Sequence, residues 1–444
     1  MWFLGGMSKT FRSWDVDQVW LLPPSVQELV PEGHLAHLVR DTVRDTLDLS
    51  AILDTYREER GYPPYHPTMM TALLLYAYCQ GIYSSRRMAR ACEERVDFMA
   101  VTALQRPDFR TISDFRKRHL EGLSGLFGQV LALCQQAGLV KLGHVALDGT
   151  KMKANASKHK AMSYGRMKQA IPQLEAEVEG WLKEADRQDR EEDARLGPDR
   201  RGDELPEWVA NRQRRLEKMR EAKAALEAEA RAKAESEDGD KSSGGGGSGR
   251  KRPAVPPDKA QRNFTDPESR IMKTRDGFVQ GYNGQLAVDA SSQVIVAQAV
   301  TNETNDAKQL APMVARIKQN TGRQTRELSA DAGYCSEENL KELSRRHIKG
   351  YVATGRQRHG ESAPARSRPP ARGSRTEAMQ RKLRQGGYRS RYRLRKTTVE
   401  PVFGQIKEPR GFRQFLLRGL SNVQGEWSLI STAHNFLKWA AVVG

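Results

Sequence analysis

One short apolar run, His144-Val-Ala-Leu-Asp-Gly-Thr150, is cut off from the next strand-like stretch, Gly281-Tyr-Asn-Gly-Gln-Leu-Ala-Val-Asp-Ala290, by everything between residues 151 and 280. This separation constrains the fold more than any other feature, because a lone strand has to find its partners far away in the chain. The second stretch and "QVIVAQAVTN" read as a hairpin joined by Ser291-Ser292. "NDAKQLAPMVARIKQN" predicts a helix with Leu310, Val314 and Ile317 on one stripe, and "RELSADAGY" a strand ending at Asp331. Ser336 can cap the helix "EENLKELSRRH", whose first turn carries Glu337 and Glu338. "IKGYVAT" is a further strand, and an apolar helix closes the chain. A hairpin followed by strand–helix alternation predicts an α/β fold with a mixed sheet flanked by helices.

The flanking regions have a different texture. Residues from about 26 to 140 read as helical. Ser84 and Ser85 can cap one helix, and Thr111 or Ser113 a longer one that ends near Gly138. The start of that longer helix shows Arg110, Arg116, Lys117, Arg118 and His119, a basic set that resembles a helix-turn-helix reader. Between the first two core strands, Ile171, Leu174, Val178, Trp181, Leu182 and Ala185 recur at helical spacing, as do Val209, Leu216, Met219, Ala222 and Leu226. With "LGPDRRGDELP" as the turn, they predict an antiparallel helical hairpin. From about Glu235 to Arg262 the chain reads as a Gly/Ser-rich, then basic linker. The expected organisation is a helical N-terminal region (1–140), a first core strand (141–160), a helical-hairpin insertion with its linker (161–275) and the rest of the core with C-terminal helices (276–444).

The 444 residues carry a formal charge of +18. That charge speaks of partners rather than fold, and nucleic acid is the polyanion it best fits. A membrane is not expected as partner, since the longest apolar run, Met69 to Ile82, is too short to span one. The N-terminal "MWFLGG" lacks the makings of a signal peptide, and the four cysteines form no CxxC pair. A reducing cytosol is the expected location.

Three carboxylates then stand out: Asp148 closing the first strand, Asp331 closing the fourth, and Glu400 early in a later helix. If the first and fourth strands are neighbours, both aspartates project from one edge of the sheet, where open α/β sheets keep their ligand crevice. Val399, Val402, Phe403 and Ile406 form the apolar stripe of the later helix, and packing that stripe on the sheet would aim Glu400 at the aspartates. Each has an ordinary alternative: a turn aspartate for Asp148 and Asp331, a capping box with Thr397 for Glu400. Together, three carboxylates repel unless a cation neutralises them. Hard oxygen ligands point to Mg²⁺ or Mn²⁺, with Asp148, Asp331 and Glu400 as ligands of two ions. Lys151, Lys153, Lys407, Arg391, Arg393 and Arg395 would hold a phosphate backbone beside them.

These residues resemble a known family. "YPPYHPTMMTALLLYAYCQGIYSSRRMARAC", "RPDFRTISDFRKRH", "VALDGTKMKANASKHKAMSY", "GYNGQLAVD", "ADAGY" and "TVEPVFGQIKEPRGFRQFLLRG" are similar to blocks of bacterial insertion-sequence transposases of the DDE type, in particular the IS1182 group within the IS5/IS4-like set. The resemblance implies an RNase H-like catalytic core with Asp148, Asp331 and Glu400 as its catalytic, metal-binding triad. It also implies a Tyr-x2-Arg-x3-Glu-x6-Lys signature. Here Tyr392-x2-Arg395 is followed by four residues before Glu400, with Lys396 at the family's Arg spacing, whereas Glu400-x6-Lys407 matches.

The expected function is therefore a DNA transposase that binds terminal inverted repeats, cleaves a phosphodiester and joins the freed 3′ end to target DNA. Arg116 and Arg118 of the N-terminal region and Lys151, Lys153, Tyr392, Arg393, Arg395 and Lys407 around the triad are the expected DNA contacts. A dimer on double-stranded DNA and a cytoplasmic, nucleoid-associated location follow from the same resemblance. A nuclease without strand transfer and an inactive DNA-binding repressor remain open as alternatives.

Overall fold

The computed structural model describes residues 25–56, 64–196, 207–241, 255–274, 277–355 and 373–444. The "MWFLGG" stretch, nearly all of the "LGPDRRGDELP" turn and much of the Gly/Ser linker and of the basic segment before residue 373 lie outside the described residues.

Among the described residues, seven helices come first: α1 (Leu35–Asp45), α2 (Ser50–Leu53), α3 (Pro67–Cys79), α4 (Ser85–Glu94), α5 (Val96–Thr102), α6 (Phe109–Arg118) and α7 (Leu120–Gln136). β1 (His144–Lys153) and the short β2 (Ala161–Ser163) lead into α8 (Tyr164–Leu196) and α9 (Glu207–Lys241). Then follow β3 (Gln261–Asn263), β4 (Arg270–Thr274), β5 (Gly277–Asp289), β6 (Ile295–Thr301), α10 (Leu310–Thr321), β7 (Glu327–Ala330), α11 (Glu337–Arg345) and β8 (Lys349–Val352). α12 (Arg375–Gly386), α13 (Leu394–Lys407) and α14 (Leu420–Val443) complete the fold. None of the described helices is long and apolar enough to cross a membrane.

The main sheet is mixed. β5 lies antiparallel to β1 along one edge and to β4 and β6 along the other, while β7 and β8 run parallel to β1 on its far side. The isolated strand of the sequence thus sits near the middle of the sheet. It is longer than expected. Parallel pairing with β7 stops at Leu147↔Ala330, but pairing with β5 continues to Lys153↔Gly281. Asp148 therefore ends the parallel ladder and not the strand, because β5 offers hydrogen-bond partners for five residues more. β4 was not foreseen and extends the β5 ribbon past this point.

Other departures are local. The long helix expected near Arg110 is broken at His119 into α6 and α7. Asp108, not Thr111 or Ser113, caps α6, accepting from the Arg110 and Thr111 amides. Asp108 is acceptor-only when ionised and sits one residue before the helix, the best position for capping. Ser84 occupies the N-cap position of α4 without a side-chain bond. Ser336 does cap α11. α9 runs on through Lys241, into what reads as linker.

One continuous core joins the N-terminal helices, the sheet and α14. α14 lies against α7, α3 and β6, with Trp427 and Phe436 fully buried. The α8–α9 hairpin keeps a small core of its own, built on Met167, Ile171, Leu216, Met219 and Leu226. Its two ends are clamped together where β2 pairs with β3 and the Tyr164 amide donates to the Ala260 carbonyl.

Candidate active site

The site is built on register. His144↔Glu327 to Leu147↔Ala330 places Asp148 and Asp331 as the next residues of two neighbouring parallel strands. Beyond Ala330, Asp331 turns the chain, accepting from the Gly333 amide at 2.9 Å. The ladder thus delivers both aspartates to one end of the β1–β7 pair.

α13 packs Val399, Val402, Phe403 and Ile406 onto this part of the sheet, all buried. Glu400 is the seventh residue of that helix and forms no capping box; the Thr397 hydroxyl bonds the Leu394 carbonyl instead. The helix starts earlier than the "TTVE" pattern suggests, so Thr397 is already interior. Pro401 has no N–H for the Thr397 carbonyl, and Gln293 Nε2 donates there at 3.0 Å.

Arg395 links two of the three carboxylates. Its Nη1 meets Asp148 Oδ2 at 2.5 Å and its Nη2 meets Glu400 Oε1 at 2.8 Å. Lys396, at the family's Arg spacing, is exposed, and Arg395 is the residue that reaches the carboxylates. Helix geometry accounts for this: the one-residue offset turns Lys396 away from the sheet. Burial pushes the Asp148 carboxyl up to about 7; Arg395 opposes this and the charge of Asp331 adds to it. Burial and then the charge of Asp306 push Asp331 up as well. Burial works against the charge of Arg395, but Asp148, Tyr392 and Glu400 outweigh it and hold the guanidinium protonated.

The remaining expected residues divide. Lys407 Nζ donates to Thr150 Oγ1, beside Asp148 on the same face of β1. Tyr392 is half-buried against Arg395, and burial raises its phenol. Lys153 and Arg393 are exposed, and so is Arg118 at the end of α6. Lys151 turns to the opposite face of β1, where its Nζ lies 3.4 Å from Asp306 Oδ1. Arg116 is a correction: its side chain is buried, with Nη1 donating to the Tyr83 carbonyl at 2.8 Å, so it is spent inside the fold. Sequence could not separate it from Arg118, since both stand in one basic run.

Asp306 was missed. It precedes a helix, where an aspartate reads as an ordinary cap, and the expected helix included it. α10 instead begins at Leu310, because Asp306 faces the sheet and accepts from Asn283 Nδ2 at 2.6 Å and Gln285 Nε2 at 2.8 Å. Gly149 makes room: a Cβ there would lie 2.8 Å from Asp306 Oδ1 and 2.5 Å from Gln285 Nε2.

Among the described residues, no three His, Cys, Asp or Glu side chains stand together as a finished metal cage. The donor chemistry still suits a hard cation. Asp148 is a largely buried carboxyl crowded by other acids, and the chain's own guanidinium is drawn in between Asp148 and Glu400.

Two domain families match the chain. Transposase domain (DUF772) matches residues 24–118, and Transposase DDE domain matches residues 254–436. No curated protein and no solved structure matches it. The two matched domains define the class: the chain is a transposase with a DDE domain. Their combination is typical of the IS1182 group. Asp331 and Glu400 fall within the DDE match, whereas Asp148 lies outside both and is brought to them by the β1–β7 pairing and by Arg395.

Proposed function

We propose that this transposase cuts DNA at the ends of an insertion sequence and joins the freed 3′-hydroxyl to target DNA, with Asp148, Asp331 and Glu400 as its catalytic carboxylates on an RNase H-like core. The observation that supports this most is the β1–β7 register, which brings Asp148 and Asp331 side by side, with Arg395 tying Asp148 to Glu400. The strand order, an antiparallel β6–β5–β1 set continued by parallel β7 and β8, agrees with an RNase H-like core.

Asp148, Asp331 and Glu400 would hold the divalent ions. Held there, two Mg²⁺ or Mn²⁺ ions would activate the attacking oxygen and neutralise charge on the leaving one. Arg395 then has to yield its place at the carboxylates, and a DNA phosphate is a fitting new partner for its planar guanidinium. Arg393 and Lys407 would extend a positive rim along the same crevice, Lys153 would meet DNA from the opposite face of β1, and Arg118 would touch phosphate from the helical domain. The domain limits in this reading are 1–140 for end recognition, 161–275 for the insertion, and 141–160 with 276–444 for the catalytic core. Two ends must be held at once, so a dimer on double-stranded DNA is expected, in the bacterial cytoplasm at the nucleoid.

The test combines purified protein, DNA carrying the gene's own flanking ends, and Mg²⁺, with Asp331→Asn as control. Cleaved and joined products that need the metal and vanish in the variant are expected, with a loss of at least about 10³-fold. Cleavage without joining would leave a nuclease. End binding with no product from either protein would leave a DNA-binding repressor.

A further inference from the structure

A fourth carboxylate, Asp306, stands on the side of β1 away from Asp148. Along a strand successive side chains alternate faces, so Gly149 and Lys151 look away from Asp148 and Thr150. That second face holds Asp306, whose side chain is 18% exposed. Its Oδ1 accepts from Asn283, Gln285 and Lys151. Its Oδ2 has a different neighbour. A Cβ placed on Gly333 would lie 3.3 Å from Asp306 Oδ2 and 3.1 Å from Asp331 Oδ1. Both carboxylates border the open side of Gly333, and the charge of Asp306 is felt at Asp331.

Their spacing is held from two sides. Gln285 donates to Asp306 and accepts from the Tyr334 hydroxyl. Asn339 donates to the Ala307 carbonyl at 2.6 Å and to the Tyr334 carbonyl at 2.7 Å. The segment carrying Asp306 and the turn carrying Asp331 are thus bolted together through one tyrosine. Asn283 is fully buried, and its Oδ1, without a hydrogen-bond partner, lies 3.0 Å from the place of a Gly149 Cβ, beside Asp306.

We propose that Asp306 is a positioning residue for cation binding at Asp331: it fixes the Asp331 turn through Gln285 and Tyr334, and its negative charge strengthens the hold on a divalent cation there. The inference rests on the metal-dependent reading above. Two carboxylates this close repel each other until a cation arrives, and Lys151 at 3.4 Å is a long contact for balancing them. Asp306 therefore costs stability in the metal-free protein and returns it on binding. A purely structural aspartate would do the reverse.

The experiment titrates Mn²⁺ into the full-length, DNA-free protein by calorimetry, and melts each protein with and without Mn²⁺. Asp306→Asn keeps the shape and removes the charge. It should weaken Mn²⁺ binding by roughly 10–100-fold while leaving the metal-free melting temperature unchanged or higher. Gly333→Ala, which presses a methyl group against one oxygen of each carboxylate, is the second variant and should weaken Mn²⁺ binding too. Wild-type affinity in Asp306→Asn, or a lower metal-free melting temperature with unchanged affinity, would overturn the proposal. The end-cleavage assay on the same preparations separates the two readings: if wild type makes metal-dependent products and Asp306→Asn binds Mn²⁺ equally well, this inference alone fails. A wild type that neither binds Mn²⁺ nor cuts would overturn both.

Discussion

The central sheet and the α8–α9 hairpin are both products of long-range pairing, but they are held by different forces. The sheet shares one apolar core with the N-terminal helices and α14, and this core commits buried carboxylates: Asp289 takes the Leu142 amide, and Glu426 takes the Leu416 and Leu417 amides. The hairpin has a narrow apolar seam and exposed ion pairs such as Arg220–Glu175. Tight packing fixes side chains to within fractions of an ångström, as a site of several carboxylates requires. A two-helix seam tolerates change. The difference teaches where precision is needed in this molecule, and it explains why the hairpin can interrupt the sheet between β1 and β4: its ends meet at the β2–β3 clamp, so the core sees only a short connection.

The sharpest probe of the contrast is pH. Glu426 in α14 is fully buried, and burial pushes its carboxyl up to about 7, against the opposing effect of the Leu417 amide and Arg116. The folded chain then keeps a proton that the unfolded chain releases above the usual value of 4.5. Stability from this group is full below about pH 4.5 and falls as pH rises through about 7. The loss is on the order of 3 kcal/mol between those limits, and Glu426→Gln should flatten it. Denaturant unfolding of both proteins at pH 5 and pH 8 gives the answer; parallel curves would break the contrast.

Glycine substitutions come next. Gly149→Ala forces a methyl group against Gln285 and Asp306 and should destabilise the core by about 1–3 kcal/mol. Gly180→Ala, in the exposed interior of α8 with nothing within 4 Å of the new Cβ, should stabilise the hairpin by roughly 0.5–1 kcal/mol. Opposite signs in thermal melts and in local hydrogen exchange are expected, and equal signs would contradict the assignment of tight and loose regions.

The smallest effect is at the hairpin surface. Glu175→Ala removes the partner of Arg220 and should cost only a few tenths of a kcal/mol, vanishing in high salt. A larger, salt-insensitive loss measured by hydrogen exchange in α9 would mean that the hairpin is held as tightly as the sheet.

Much of this was legible in advance where the signal is local. Ser336 as cap of α11, the apolar stripe of α13 and most of the two seams of the hairpin depend on neighbours a turn or so away, and the structure has them as read, with the side chains of Leu182 and Ala185 outside the described residues. Asp148 and Asp331 were recognisable as carboxylates at the ends of apolar runs. What reached across the chain was not legible. Nothing in "RYRLRK" says that Arg395 and not Lys396 will meet Asp148, and nothing in "DFRKR" says that Arg116 goes inside while Arg118 stays out.

By itself the sequence determined the repertoire: strands and helices by hydrophobic period, a strongly basic chain, and acids placed where apolar runs stop. Those properties follow from each residue and its near neighbours, so they survive without a fold. Tertiary structure alone decided the register that sets Asp148 beside Asp331, the extra length of β1 along β5, and the place of Asp306 across from Gly149. Each of these joins residues far apart in the chain, and such contacts are selected by the packing and hydrogen bonding of the whole sheet, which no short stretch of sequence contains.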